Sequence, residues 1–130
     1  MVIDSGIFID HLRESNKTNS TRYRLADYLP FFILSITLFE LNAGATNPEK
    51  SSNLKDLLPA TKVLPFTNLE ATMASNIYQA LKKTNQIIEF RDIFIAATCI
   101  TNSLSLVTLN KKHFERIANL KLFDLSSLNA

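Results

Sequence analysis

A chain of 130 residues, 46% hydrophobic, with two glycines and four prolines, can bury one substantial core, so a single domain over residues 1–130 is expected. Lys and Arg number 14 against 12 Asp and Glu, a formal charge of +2 that neither demands nucleic acid as a partner nor excludes it. The single cysteine, Cys99, excludes an internal disulfide and, in an apolar helical pattern, reads as a small buried side chain in a reducing compartment.

The chain opens with "MVIDSGIFIDHLR", an apolar run ending in an acid, followed by a helical pattern through Ile7, Phe8 and Leu12. With Asp4 and Asp10 among apolar residues and no basic leader, it reads as folded structure and not as a secretion signal, so a cytoplasmic place is expected. The segment "STRYRLADYL" predicts a second helix stopped by Pro30. "FFIL" predicts a buried strand, with Ser35 as N-cap of the helix "ITLFELNAGA" and Gly44 at its end. That apolar stretch carries Glu40 well short of the roughly 20 residues a spanning helix needs, so no membrane span is expected.

Asn47 followed by Pro48 predicts the start of another helix, closed by Pro59, and "KVLPF" a short strand. Thr67 with Glu70 forms a capping box for a helix whose apolar side is Leu69, Met73, Ala74, Ile77, Tyr78 and Leu81. Ile93 to Thr101 is helical by pattern, "LSLVTL" a strand, Asn110 the cap of a short helix, and "LKLFDL" a final strand. Strands alternating with helices predict an α/β fold, because parallel strands need crossover connections.

Most acids sit in polar surroundings, but Asp4 follows an apolar strand, Glu40 lies inside an apolar helix and Asp92 opens another. In an open α/β sheet, loops at the carboxyl ends of strands gather into one crevice, so three segments could deliver carboxylates to one point. Gathered carboxylates repel one another unless a cation compensates, and Mg²⁺ accepts two or three such oxygens while keeping its waters. Each acid also has a plainer reading: Asp4 and Asp92 as helix caps, Glu40 in a salt bridge to an arginine. Lys111 and Lys112 read as a solvated face, and His113 as a surface or packed histidine.

The order of these segments resembles the PIN-domain ribonucleases of the VapC toxin type. "VIDSGIFIDHL" is similar to that family's N-terminal acid motif, "SITLFELNAGA" to its central glutamate helix, and "RDIFIAATCITNSLSLVTLNKKHF" to its C-terminal acid motif with the Thr-x-Asn strand end. The resemblance implies a PIN-like three-layer fold with a central, mostly parallel sheet of four to five strands flanked by helices. It implies Asp4, Glu40 and Asp92 as catalytic metal ligands, with Ser5, Thr108, Asn110 and His113 in support. It further implies an endoribonuclease dependent on Mg²⁺ or Mn²⁺, acting on RNA as a homodimer and restrained by a cognate antitoxin. RNA contacts would then come from Arg91, Lys111 and Lys112, with Arg116 nearby and Arg13, Lys17, Arg22 and Arg24 clustered in the first helical pair. Phosphate contacts of this kind add affinity without sequence information.

Two positions depart from the family pattern. Gly6 stands where many members carry asparagine, and His113 where a fourth acid is usual. A neutral histidine brings no negative charge, so weaker Mg²⁺ binding is expected. These departures define a rival reading, a catalytically weak PIN-fold protein that acts by binding RNA or protein. A phosphoacceptor receiver domain fits less well, since "VIDSG" offers one acid after the first strand where paired acids are needed.

Overall fold

The computed structural model describes residues 1–129. Strand β1 (Val2–Ile3) runs into helix α1 (Ser5–Arg13), and β2 (Phe31–Leu34) runs into α3 (Ser35–Gly44). Between α1 and β2 the chain makes a 3-10 turn at Lys17–Asn19, the one-turn helix α2 (Thr21–Arg24) and a second 3-10 turn at Ala26–Tyr28. The long helix expected over Ser20 to Leu29 is thus broken. Leu25 is its only fully buried apolar side chain, so no continuous apolar stripe rewards a longer helix.

Helix α4 (Pro48–Leu57) begins as expected, Asn47 Oδ1 accepting from the Lys50 N–H at 2.8 Å with proline at the first position. A 3-10 turn at Leu58–Ala60 leads into β3 (Thr61–Leu64), then α5 (Asn68–Lys83) with the predicted capping box of Thr67 and Glu70. The buried stripe of α5 is Glu70, Ala74, Ile77 and Leu81; Leu69 lies one residue round from it and is exposed, contrary to expectation. Helix α6 (Phe90–Thr101), the two-residue strand β4 (Leu106–Val107) and the short α7 (Lys111–Phe114) follow.

The four strands form one parallel sheet in the order β3-β2-β1-β4. The expected final strand is reduced to a bridge between Leu122 and Leu106, because β4 itself offers only two residues to pair with. Successive strand residues point to opposite faces, and this sorts the core. Val2, Leu34 and Leu106 join α5 and α6 residues such as Ile77, Leu81, Ile93 and Ala97 on one face. Ile3, Phe31, Ile33 and Val107 join Ile7, Phe8, Leu41 and Leu54 on the other. The result is the three-layer arrangement anticipated above.

Strand order reverses at β1: β2 and β3 build outward on one side, β4 returns on the other. Crevices at such switch points, beyond the strand carboxyl ends, are where α/β sheets place their ligands. Asp4 follows β1 and Thr108 follows β4, and the Asp4 N–H donates to the Val107 carbonyl at 3.0 Å, so the backbone itself ties the two strand ends together. Cys99 is fully buried in α6, and burial pushes its thiol up to about 12, which leaves it unreactive. Among the described residues, no helix is long and apolar enough to cross a membrane.

Candidate active site

Asp4, Glu40 and Asp92 converge, and they converge on a cation. The guanidinium of Arg91 donates through Nε to Glu40 Oε2 at 2.5 Å, through Nη1 to Asp92 Oδ1 at 2.7 Å and through Nη2 to Asp4 Oδ1 at 2.6 Å. Nη2 also donates to Ser5 Oγ at 2.7 Å. The planar fork of an arginine spreads its donors over three nitrogens, one for each carboxylate, where a lysine ammonium would donate from a single point. Burial alone would lower the arginine's pKa, but its bonds to Glu40 and Asp4 outweigh that and raise it above its ordinary value.

The acids are held by the elements that carry them. Asp4 caps α1, its Oδ1 accepting from the Ser5 N–H at 2.8 Å, while Oδ2 accepts from the Thr108 hydroxyl at 2.9 Å. Asp4 and Asp92 side chains are only 9% and 6% exposed, so their orientation depends on these bonds more than on water. Asp92 does not cap α6. The helix begins two residues earlier, at Phe90, and Asp92 lies inside its first turn with the carboxylate turned into the crevice. Glu40, mid-helix in α3, realises the arginine pairing read from the sequence, yet its Oε1 is buried without a hydrogen-bond partner. Ser35 likewise is not a cap: β2 passes straight into α3, Leu34 holds the cap position, and Ser35 is the first helical residue.

The supporting residues form a chain behind Asp92 and Asp4. Thr108 Oγ1 accepts from the Asn110 N–H at 3.0 Å, the Asn110 amide lies 2.9 Å from His113 Nδ1, and that nitrogen lies 3.2 Å from Asp92 Oδ2. His113 is therefore neither a plain surface histidine nor a core one. Nδ1 either donates to Asp92 Oδ2 or accepts from the Asn110 amide, according to tautomer, and the ring is 42% exposed. At Gly6 a side chain would meet nothing within 4 Å, so the glycine leaves open space beside the site and relieves no crowding.

Arg91, expected from sequence to face RNA, is spent in this structure on the three acids. The signal that could have assigned it was Glu40: a glutamate inside an apolar helix needs a cation, and Arg91 stands next to another of the odd acids. Lys111 lies on α7 with its Nζ 3.8 Å from Asp124 Oδ1, an exposed and weak pair, and Lys112 is exposed beside it. Alongside Glu40 an apolar groove of about 220 Å³ runs between α1, α3 and α4, lined by Ile9, Leu12, Leu41 and Leu54.

One positive charge against three negative ones leaves the crevice net negative, and its free valences are oxygens. That donor set, with the orphaned Glu40 Oε1, fits a hard divalent cation. In the present arrangement, among the described residues, no group of three or more His, Cys, Asp or Glu side chains is set to hold a metal ion, since the guanidinium stands between the carboxylates.

The sequence matches the PIN domain family over residues 1–120. It is 32% identical to ribonuclease VapC1 of Rickettsia felis, covering 98% of this chain and 97% of that protein. The fold superposes on VapBC2 of Rickettsia felis bound to a promoter DNA fragment with a TM-score of 0.81, at 26% identity over 94% of this chain and 96% of that one. DNA-bound VapBC of Salmonella typhimurium gives 0.82, also at 26% identity, over 95% and 96% of the two chains. The switch-point crevice with its three acids therefore lies in a known setting: the chain belongs to the PIN-domain family, among the VapC ribonucleases.

Proposed function

We propose that this protein is the toxin of a toxin–antitoxin pair, an endoribonuclease that hydrolyses RNA phosphodiester bonds with Asp4, Glu40 and Asp92 as ligands of Mg²⁺ or Mn²⁺. The observation that carries the reading is the meeting of three carboxylates, from the end of β1, the body of α3 and the first turn of α6, around one cation. A divalent ion held by these acids would orient and activate a water and offset charge on the phosphodiester. The chain's own contribution is positional. Thr108 and the Ser5 N–H fix both oxygens of Asp4, His113 faces the second oxygen of Asp92, and the crevice keeps both acids shielded from bulk water. Lys111 and Lys112 supply phosphate contacts at the entrance to α7.

The relatives found in VapBC complexes support a protein partner, and the apolar groove beside Glu40 gives such a partner a seat. The antitoxin is expected from the neighbouring reading frame. A homodimer is the assembly we favour, with the exposed Phe90 of α6, edge-on to Tyr78 of α5, on an apolar surface that a second copy can cover.

The rival reading, a binding module with little catalysis, draws on His113 in place of a fourth acid. Cleavage of RNA by the purified protein in Mg²⁺ or Mn²⁺ separates the two. Asp92→Asn is expected to abolish cleavage with the fold retained by circular dichroism; full activity in that variant overturns the mechanism. Calorimetric titration that finds no binding at millimolar Mn²⁺ favours the binding module.

A further inference from the structure

Arg91 uses Nε, Nη1 and Nη2 on Glu40 Oε2, Asp92 Oδ1 and Asp4 Oδ1, one oxygen from each of the three carboxylates assigned above as ligands. A guanidinium and a divalent ion are rival solutions to the same electrostatic problem. We propose that Arg91 is a resident competitor for the metal: it holds the acids together in the unloaded protein, and an ion takes them only as the guanidinium withdraws. The inference rests on the reading of Asp4, Glu40 and Asp92 as metal ligands.

Three features support exchange over a permanent structural bridge. The cluster is undercompensated, one positive charge among three negative ones, so a doubly charged ion neutralises it better. Arg91 sits in the first turn of α6 beside the exposed Phe90, and its side chain is 25% exposed, which leaves it a way out to solvent. Glu40 has its Oε1 buried and unpartnered, an acceptor that the guanidinium does not satisfy. The cost of displacement is also plain: four hydrogen bonds of Arg91 are given up, including the one to Ser5 Oγ. Metal affinity is therefore set by a difference between two cations, and it is lower than the acids alone would give.

The test is calorimetric titration with MnCl₂ of the full chain as wild type, Arg91→Gln and Arg91→Lys, each also with Asp92→Asn, together with thermal unfolding in EDTA. Arg91→Gln removes the competitor and is expected to bind Mn²⁺ about tenfold or more tightly, within the range usual for coupling between two ligands. Its melting temperature in EDTA falls, since the acids then repel one another, and Mn²⁺ raises that temperature more than in wild type. Arg91→Lys keeps the charge but loses the fork, so its affinity lies between the two, and it carries the test should Arg91→Gln fail to fold. Asp92→Asn is expected to abolish binding in each background. Equal or weaker Mn²⁺ binding by a folded Arg91 variant overturns the competition while leaving the metal reading intact. Absence of Mn²⁺ binding by wild type and both Arg91 variants overturns the two together.

Discussion

The hydroxyl of Thr108, at the end of β4, donates to Oδ2 of Asp4, at the end of β1, at 2.9 Å. Residues 104 apart in sequence are thereby locked across the switch point of the sheet, and Thr108 is itself fixed by the Asn110 N–H it accepts. Replacing Thr108 by valine keeps the shape and leaves a buried carboxylate oxygen short of a donor, at a cost of about 1–3 kcal/mol. Thr108→Val is expected to lower the melting temperature by several degrees and to slow RNA cleavage by at least about tenfold. Thr108→Ser restores both. A valine variant that unfolds early yet cleaves at the wild-type rate would remove Thr108 from the site and leave it a structural role only.

His113 faces Asp92 Oδ2 where a fourth acid would have brought charge. His113→Asp adds a second carboxylate beside Asp92, so without metal the protein is expected to melt at a lower temperature, and with metal to bind Mg²⁺ more tightly than wild type. His113→Ala removes an orienting contact only, and its loss of cleavage is expected to be smaller than that of Asp92→Asn. Calorimetry and cleavage assays on the same preparations check both. Unchanged Mg²⁺ affinity in His113→Asp means that position 113 does not shape the metal site.

Much of this fold is written locally. Asn47–Pro48 and the Thr67/Glu70 box mark their helix starts because caps act within four residues; the strand expected at "FFIL" is β2, and the one expected at "KVLPF" lies at Thr61–Leu64, ending before Pro65. The three acids stood out for the same reason: each is polar where its neighbours are buried. What escaped is non-local. Arg91 stands between Phe90 and the odd acid Asp92, but nothing in the local pattern says that it also reaches Glu40 and Asp4, 51 and 87 positions away. Helix α6 starts at Phe90, ahead of the apolar pattern that begins at Ile93, because an exposed aromatic followed by an arginine carries no helical stripe. The last strand dwindled for want of a partner long enough to pair with.

His11 makes the stability of the first helical pair pH-dependent. Its Nδ1 lies 2.5 Å from Ser20 Oγ, a fully buried hydroxyl that also accepts from the Tyr23 N–H and so caps α2. With that oxygen accepting from Tyr23, the hydroxyl proton is free to go to the unprotonated ring nitrogen. Burial first, then the positive charges of Lys17 and Arg22, hold the His11 pKa below its ordinary value, with Asp10 offsetting them in part. A depressed folded pKa means that the unfolded chain binds the proton more readily. The stabilisation is therefore complete above about pH 6.5, the unfolded value, and is lost as pH falls through the lower folded value. Melting temperatures at about pH 7.5 and 5.0 are expected to differ less in His11→Gln than in wild type. An equal difference in the two proteins would show that other groups carry the acid sensitivity.

Ile9 tests the groove. It is an apolar side chain 38% exposed on α1, it lines the cavity beside Glu40, and the core does not depend on it. Charge introduced there costs little in the isolated protein, within about 0.5 kcal/mol, because the position is already wet. Against a partner whose apolar side chain must enter the groove, the same charge has to be desolvated, at a cost that Arg13 and Lys50 on the groove wall offset only in part. Ile9→Glu is thus expected to keep the wild-type melting temperature and RNA cleavage while weakening binding of the proposed antitoxin by about 30-fold or more, the scale of a hot-spot loss. Titration of the purified antitoxin into both proteins measures it. Unchanged affinity would move the partner off the α1, α3 and α4 groove, the exposed Phe90 being the next to vary.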